Sequence, residues 1–188
     1  MKLRKPPYPD VVRTAGYFWT HAGHRGTAIE TAIAVIRDAD QRERAAFAND
    51  PLWLSFTAHM GDWVIESLLQ GTWMREYHEW EKATKAYFDG NYARNGSSTV
   101  DWRGKLPGIP GASHVDRVRA QLSCFGATTP AGALDTIDQA RERVNFAKHE
   151  ADHFVSEADH KRLVQAVLVF WEALAEQEEF TPPLRKYA

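Results

Sequence analysis

Apolar positions recur along this chain at the three- and four-residue steps of an α-helix, without the two-residue alternation of a half-buried strand. From about Thr27 to Ala46, Ile29, Ile33 and Ile36 mark one side of a helix. Arg37, Asp38, Arg42, Glu43 and Arg44 crowd its later turns, so this helix is amphipathic. Asn49-Asp50-Pro51 then supplies a start signal, an Asp cap followed by Pro at the first helical position. From there to about Phe88 the residues Ile65, Leu69, Trp73, Tyr77, Trp80 and Tyr87 step by three, four or seven and form one stripe. Unbroken, this helix would be on the order of 55 Å long at ~1.5 Å per residue. Gly61 and Gly71 lie inside it at a cost of roughly 1 kcal/mol each against Ala, which predicts a bend or two helices end to end. Ser113 caps a short helix to Cys124 with Val115, Val118 and Leu122 on one side. Asp135 to about His153 forms the next. Ser156-Glu157-Ala158-Asp159 resembles a capping box and opens the last helix, whose Leu163, Val167, Phe170, Trp171 and Leu174 face a core.

Between these helices, residues 89–111 carry too many glycines and prolines for a long helix. They hold neither a phosphate loop nor a dinucleotide fingerprint, since no Gly-Lys-Ser/Thr follows and no strand precedes. Pro6, Pro7 and Pro9, with scattered aromatics, make residues 1–24 read as an irregular arm. Residues 25–179 read as one helical domain and 180–188 as a tail. The expected fold is all-α: a helical bundle of about five helices with one long central helix that bends.

Composition narrows the class. At 188 residues the chain is large enough for a hydrophobic core without staples. A net charge of −2 argues against a protein that holds nucleic acid mainly by a strong positive field. No apolar run approaches the ~20 residues of a membrane span, and no secretory signal is visible, so a cytoplasmic protein is expected. Cys124 stands alone, without a partner for a disulfide or a Cys-based zinc site.

The densest chemistry lies between Arg141 and His160. His149-Glu150-Ala151-Asp152-His153 fits H-E-x-x-H, in which two histidines on one helix face share a zinc and the glutamate activates water. A zinc hydrolase on His149, Glu150 and His153 would draw a third ligand from His160, Glu172 or Glu176. The repeated Glu-Ala-Asp-His at 150–153 and 157–160 imitates a di-iron motif, but its copies fall on adjacent turns instead of separate helices. Glu157 and Asp159 also suit a helix first turn, where acids complement the dipole.

A long helix, a variable middle, then Arg143-Val144-Asn145-Phe146-Ala147-Lys148-His149 and a terminal helix resembles the HEPN superfamily. These are all-α domains sharing an Arg followed, after about four to six residues, by a His. The resemblance covers roughly residues 25–178 by arrangement and Arg143, Asn145 and His149 by motif. In many members a polar residue directly follows the Arg; here Val144 does, with Asn145 one place on. Arg141 therefore competes for the motif position, since Arg141, Asn145 and His149 step by four along one face. The resemblance implies a metal-independent endoribonuclease of toxin or defence type, without a cofactor, working on RNA as a homodimer whose motif helices meet. His149 would serve as general base or acid, Arg143 would neutralise charge on the scissile phosphate, and Asn145 would orient groups by hydrogen bonds.

Plainer readings stand beside this. Arg143 pairs with Glu142, Glu150 or Asp135, and His149 ends a helix where a cation suits the dipole. The chain is then a non-catalytic helical interaction or regulatory module, or it binds a small molecule in its core. The aromatic stripe is expected to be core or dimer interface. His21 and His24 precede the first helix as surface residues. Glu81 and Lys85 form an i,i+4 pair, and Lys82, Lys85, Arg94 and Arg103 are solvated faces or a basic rim for RNA.

Overall fold

The computed structural model describes residues 11–94, 113–125, 127–147 and 155–180. These form α1 (Val11–Ala46), α2 (Pro51–Thr57), α3 (Met60–Arg94), α4 (His114–Phe125), α5 (Ala133–Ala147) and α6 (Glu157–Phe180). No strand occurs among the described residues, and the all-α bundle stands. Taken as one bent element, α2 and α3 reduce the six to the five helices that the periodicity predicts.

The caps fall where the sequence places them. The Asp50 carboxylate accepts from the Trp53 amide at 2.9 Å, with Pro51 in the first turn. Ser113 and Asp116 form a reciprocal box, Ser113 Oγ accepting from the Asp116 amide and Asp116 Oδ2 from the Ser113 amide, both at 3.1 Å. Ser156 and Asp159 repeat it at the head of α6. Each box satisfies donors that an uncapped first turn would leave bare.

The bend in the long helix sits at Ala58 and His59, just ahead of Gly61. Ala58 keeps helical angles (φ −49°, ψ −31°), and α1 holds the joint from outside. Arg44 Nη2 donates to the Ala58 carbonyl at 2.5 Å while its Nε donates to Asp40 at 2.8 Å. Asp40 also crowds Gly61, where a Cβ would lie 3.0 Å from the Asp40 carboxyl carbon. A side chain at Gly61 would therefore have to displace the Asp40 carboxyl, whereas a Cβ at Gly71 meets nothing within 4 Å.

The predicted stripe of α3 is buried from Ile65 to Tyr87, as are Val115, Val118 and Leu122 of α4 and Leu163, Val167, Phe170, Trp171 and Leu174 of α6. Trp171 is the hub. Phe18 stacks on it at 5.7 Å and 11°, and Tyr87 and Phe170 meet it edge-on at 5.8 and 5.1 Å. α1 packs most extensively on α6, with α3 against both, α5 against α6, and α4 between α3 and α5.

Two expectations are corrected. The irregular arm over residues 1–24 gives way to helix from Val11 onward; Val11, Thr14 and Phe18 are buried at helical spacing, and that burial outweighs the low propensity of Gly16 and Gly23. His21 and His24 consequently lie within α1 instead of before it. Of the two alternatives for the aromatic stripe, core or dimer interface, the structure has core: Trp73, Tyr77, Trp80 and Tyr87 are all buried within one chain. Residues 1–10, 95–112, 126, 148–154 and 181–188, which include most of the 89–111 loop and the tail, lie outside the described residues.

The two glycines of α3 give a differential test. Gly71→Ala is expected to stabilise the fold by roughly 0.5–1 kcal/mol, the helix-propensity gain. Gly61→Ala is expected to gain clearly less, or to lose, because Asp40 must move. Urea denaturation of both variants beside the parent measures the difference.

Candidate functional site

His149, Glu150 and His153 lie outside the described residues, so the predicted catalytic histidine and the zinc pair have no geometry here. Arg141, Arg143 and Asn145 are all on the last turns of α5. Buried Val144 fixes the helix rotation, and two residues of separation turn Arg141 and Arg143 to opposite sides. Arg141 Nε donates to Asp138 at 2.7 Å, with Glu142 at 3.4 Å; its positive charge also bears on Tyr77, whose hydroxyl is pushed upward chiefly by burial. Arg143, half exposed, reaches across to Asp159 at 3.2 Å, a partner that the sequence does not single out. Asp135 pairs with Arg119 instead, at 2.6 Å. Asn145 is exposed and shares a side with Arg141, not with Arg143.

Other sequence candidates resolve into structural roles. Glu157 pairs with Arg37 at 2.7 Å, and Glu81 with Lys85 at 2.6 Å. Lys82 is exposed. His114 meets the Thr84 hydroxyl at 2.7 Å and Trp80 edge-on, and burial lowers its pKa to about 4, so its ring is neutral. Among the described residues no group of three or more His, Cys, Asp or Glu side chains is placed to hold a metal ion, and no helix is long and apolar enough to cross a membrane.

The strongest electrostatic feature is one that the sequence reading misses. Where α1, α3 and α6 meet, Arg25 stands between two carboxylates. Its Nη2 donates to Glu79 at 2.7 Å, and its Nη1 lies 2.6 Å from Glu76 Oε1. The latter contact is off the N–H direction, so neither atom gains a hydrogen bond from it. Arg75 Nε supports Glu79 at 3.0 Å. Glu76 is only 2% exposed, and burial pushes its carboxyl up to about 7 against the pull of Arg25, with Glu79 adding to the rise. His160 is 6% exposed with its Nε2 unpartnered, and burial, then Arg25, lowers its pKa. A signal exists in the sequence: Glu76 lies three residues after Trp73 and four before Trp80, and His160 lies three before Leu163. Both are polar residues at stripe positions.

A second missed feature is the apolar side at the other end of α3. Phe56 is 75% and Trp63 61% exposed, and Phe47, Leu52, Trp53, Met60 and Val64 are exposed around them. Leu52, Phe56, Met60 and Trp63 recur every three or four residues and so share one side of α2 and the opening of α3. Phe47 and Trp53 meet at 5.0 Å between ring centres.

Comparison with known proteins adds nothing to this geometry: no family model, no curated protein and no solved structure matches the chain. The likeness to HEPN domains thus rests on the residues that carry it.

Glu76 yields a pH prediction. A carboxyl whose pKa is raised on folding takes up protons in the native state, so its contribution is fully present below the unfolded pKa near 4.5 and is lost as pH rises through about 7. His160, with its pKa lowered on folding, acts in the opposite sense, losing stability as pH falls below 6.5. Comparing the parent with Glu76→Gln cancels the histidine. Between pH 5 and 7.5 the parent is expected to lose on the order of 2–3 kcal/mol relative to the variant, measured by denaturant midpoints.

Proposed function

We propose that the chain is a helical interaction module that pairs with a second copy of itself through the apolar side of α2 and the first turns of α3. The observation that carries this reading is the cluster of seven large apolar side chains exposed between Phe47 and Val64. At about 150–250 Å² for a large aromatic side chain, their exposed parts come to roughly 700 Å². That exceeds the ~300–600 Å² of the largest patch on an ordinary monomer and approaches the ~800 Å² that each partner contributes to a stable interface.

Charge at the rim supports a second copy over an anionic lipid surface, which calls for a basic border. Here the border carries both signs, with Arg44 bonded to the Ala58 carbonyl and Asp62 and Glu66 beside Trp63 on α3. A two-fold arrangement can set such unlike charges opposite each other. The 95–112 segment of this chain is a poor occupant. It is anchored at the far end of α3, about 45 Å from Val64 at ~1.5 Å per residue, and 18 residues out and back reach only roughly 30 Å.

Sedimentation at micromolar concentration tests the reading. The parent is expected to be dimeric, and Phe56→Ser with Trp63→Ser to be monomeric at unchanged helical content, because exposed substitutions move stability by only ~0.5 kcal/mol. A monomeric parent overturns the proposal.

The ribonuclease reading keeps one support, the placing of Arg141 and the exposed Asn145 on one side at the end of α5, a few residues before His149. Incubating RNA with the protein in excess EDTA, beside His149→Ala, decides it. Cleavage that survives EDTA and disappears in the variant would establish a metal-independent nuclease; no cleavage by the parent would leave the interaction module alone.

A further inference from the structure

Arg143 does not stand alone on its side of α5. With Thr136 and Gln139 of the same helix, Trp73 of α3, and Asp159 and Arg162 of α6, it lines a cavity of about 90 Å³. At ~30 Å³ for a water in the liquid, that is room for one small polyatomic ion and for little more. Helix register builds the lining: Thr136, Gln139 and Arg143 recur at three- and four-residue steps along α5, and Asp159 and Arg162 do so along α6.

Its charges do not cancel. Arg143 and Arg162 both reach one oxygen, Asp159 Oδ1, at 3.2 and 2.7 Å. The other oxygen of that carboxylate already accepts from the Ser156 amide at 3.2 Å and from the Ser156 hydroxyl at 2.8 Å. Among the described residues Asp159 is the sole acid that lines the cavity, so two guanidinium groups share one carboxylate and a positive charge is left over.

The hydrogen-bonding groups are as one-sided as the charge. A guanidinium carries several N–H donors in a fork, and each of these two spends itself on a single carboxylate oxygen. The Trp73 indole is 3% exposed, and its Nε1–H is buried without an acceptor among the described residues. The Thr136 hydroxyl and the Gln139 amide make no hydrogen bond among the described residues either. A cation would meet two arginines and a carboxylate whose oxygens are both taken. An apolar ligand would leave the donors bare. What the lining lacks is a negatively charged acceptor, and a tetrahedral oxyanion brings several such oxygens on a body of the right size.

We infer that this cavity is a binding site for a phosphate group, held between the Arg143 and Arg162 guanidinium groups, with Thr136 and Gln139 completing its hydrogen bonds. The site is separate from the pairing through α2, since no residue of that exposed apolar side lines the cavity. It is also separate from the side of α5 that carries Arg141 and Asn145, neither of which lines it.

Titration calorimetry of the full chain with inorganic phosphate, at an ionic strength held constant with chloride, tests it. One saturable site per chain is expected. Arg162→Gln is expected to weaken binding about tenfold or more, as the loss of a charge-assisted hydrogen bond does. That side chain is 70% exposed, so the substitution does not endanger the fold. Arg42→Gln removes a similarly exposed arginine that does not line the cavity and is expected to leave binding unchanged. Glycerol 3-phosphate identifies the source of the group: similar affinity assigns a phosphoryl end-group of a larger molecule, and exclusion assigns the free ion. No saturable heat with phosphate, undiminished binding by Arg162→Gln, or equal weakening by Arg42→Gln would each overturn the assignment.

Discussion

The stacking of Phe18 on Trp171 is the contact on which the bundle depends. It draws the first turns of α1 against the middle of α6, and Tyr87 and Phe170 close around the same indole from α3 and α6 itself. One side chain thus sets the spacing of the three longest helices. With that spacing fixed, Arg25 comes level with Glu76 and His160 two turns further along α1. The polar cluster is a consequence of aromatic packing, and its partners are chosen by helix register. An ion pair formed in water would hardly hold such register; here the charges are positioned by apolar contacts and then constrained by the loss of solvent.

Much of this was legible in the sequence because helices announce themselves locally. Asp50-Pro51, Ser113 and Ser156 each carry their partner three residues on, and the stripe from Ile65 to Tyr87 needs no knowledge of other helices to be recognised. The first turns of α1 were hidden by their composition. Three prolines stand just before Val11, and Gly16 and Gly23 lie among aromatics, so local propensity points away from a helix that only the distant Trp171 secures. The polar cluster was hidden for a related reason. Glu76 and His160 occupy core positions by spacing, but a charged residue in a stripe is ordinarily read as an interruption, and only the arrival of Arg25, 51 residues away in sequence from Glu76, reveals its use.

The two arginines of α5 show how helix geometry separates readings that sequence spacing leaves level. Arg141 and Arg143 stand eight and six residues before His149 along the chain, and Val144 in the core commits them to opposite sides. Arg141 shares its side with Asn145, while Arg143 locks α5 to the head of α6 through Asp159, the same residue that closes the capping box of Ser156. An arginine engaged on a helix cap acts as a structural tie between elements. Any chemistry built on the Arg/His spacing would use the side that Arg141 and Asn145 occupy.

The joint at Ala58 has a further meaning for how the molecule behaves in time. Seven residues are far too few for a helix to persist by itself, so α2 owes its order to the Asp50 cap at one end and the Arg44 clasp at the other. Breaking either would release this short rod while the remaining five helices kept their shared core. Trp53 and Phe56 therefore ride on a short, singly clasped helix, and amide exchange there would outpace that of α3 and α6. The pairing proposed through this side would then draw its selectivity from ordering that the contact itself completes.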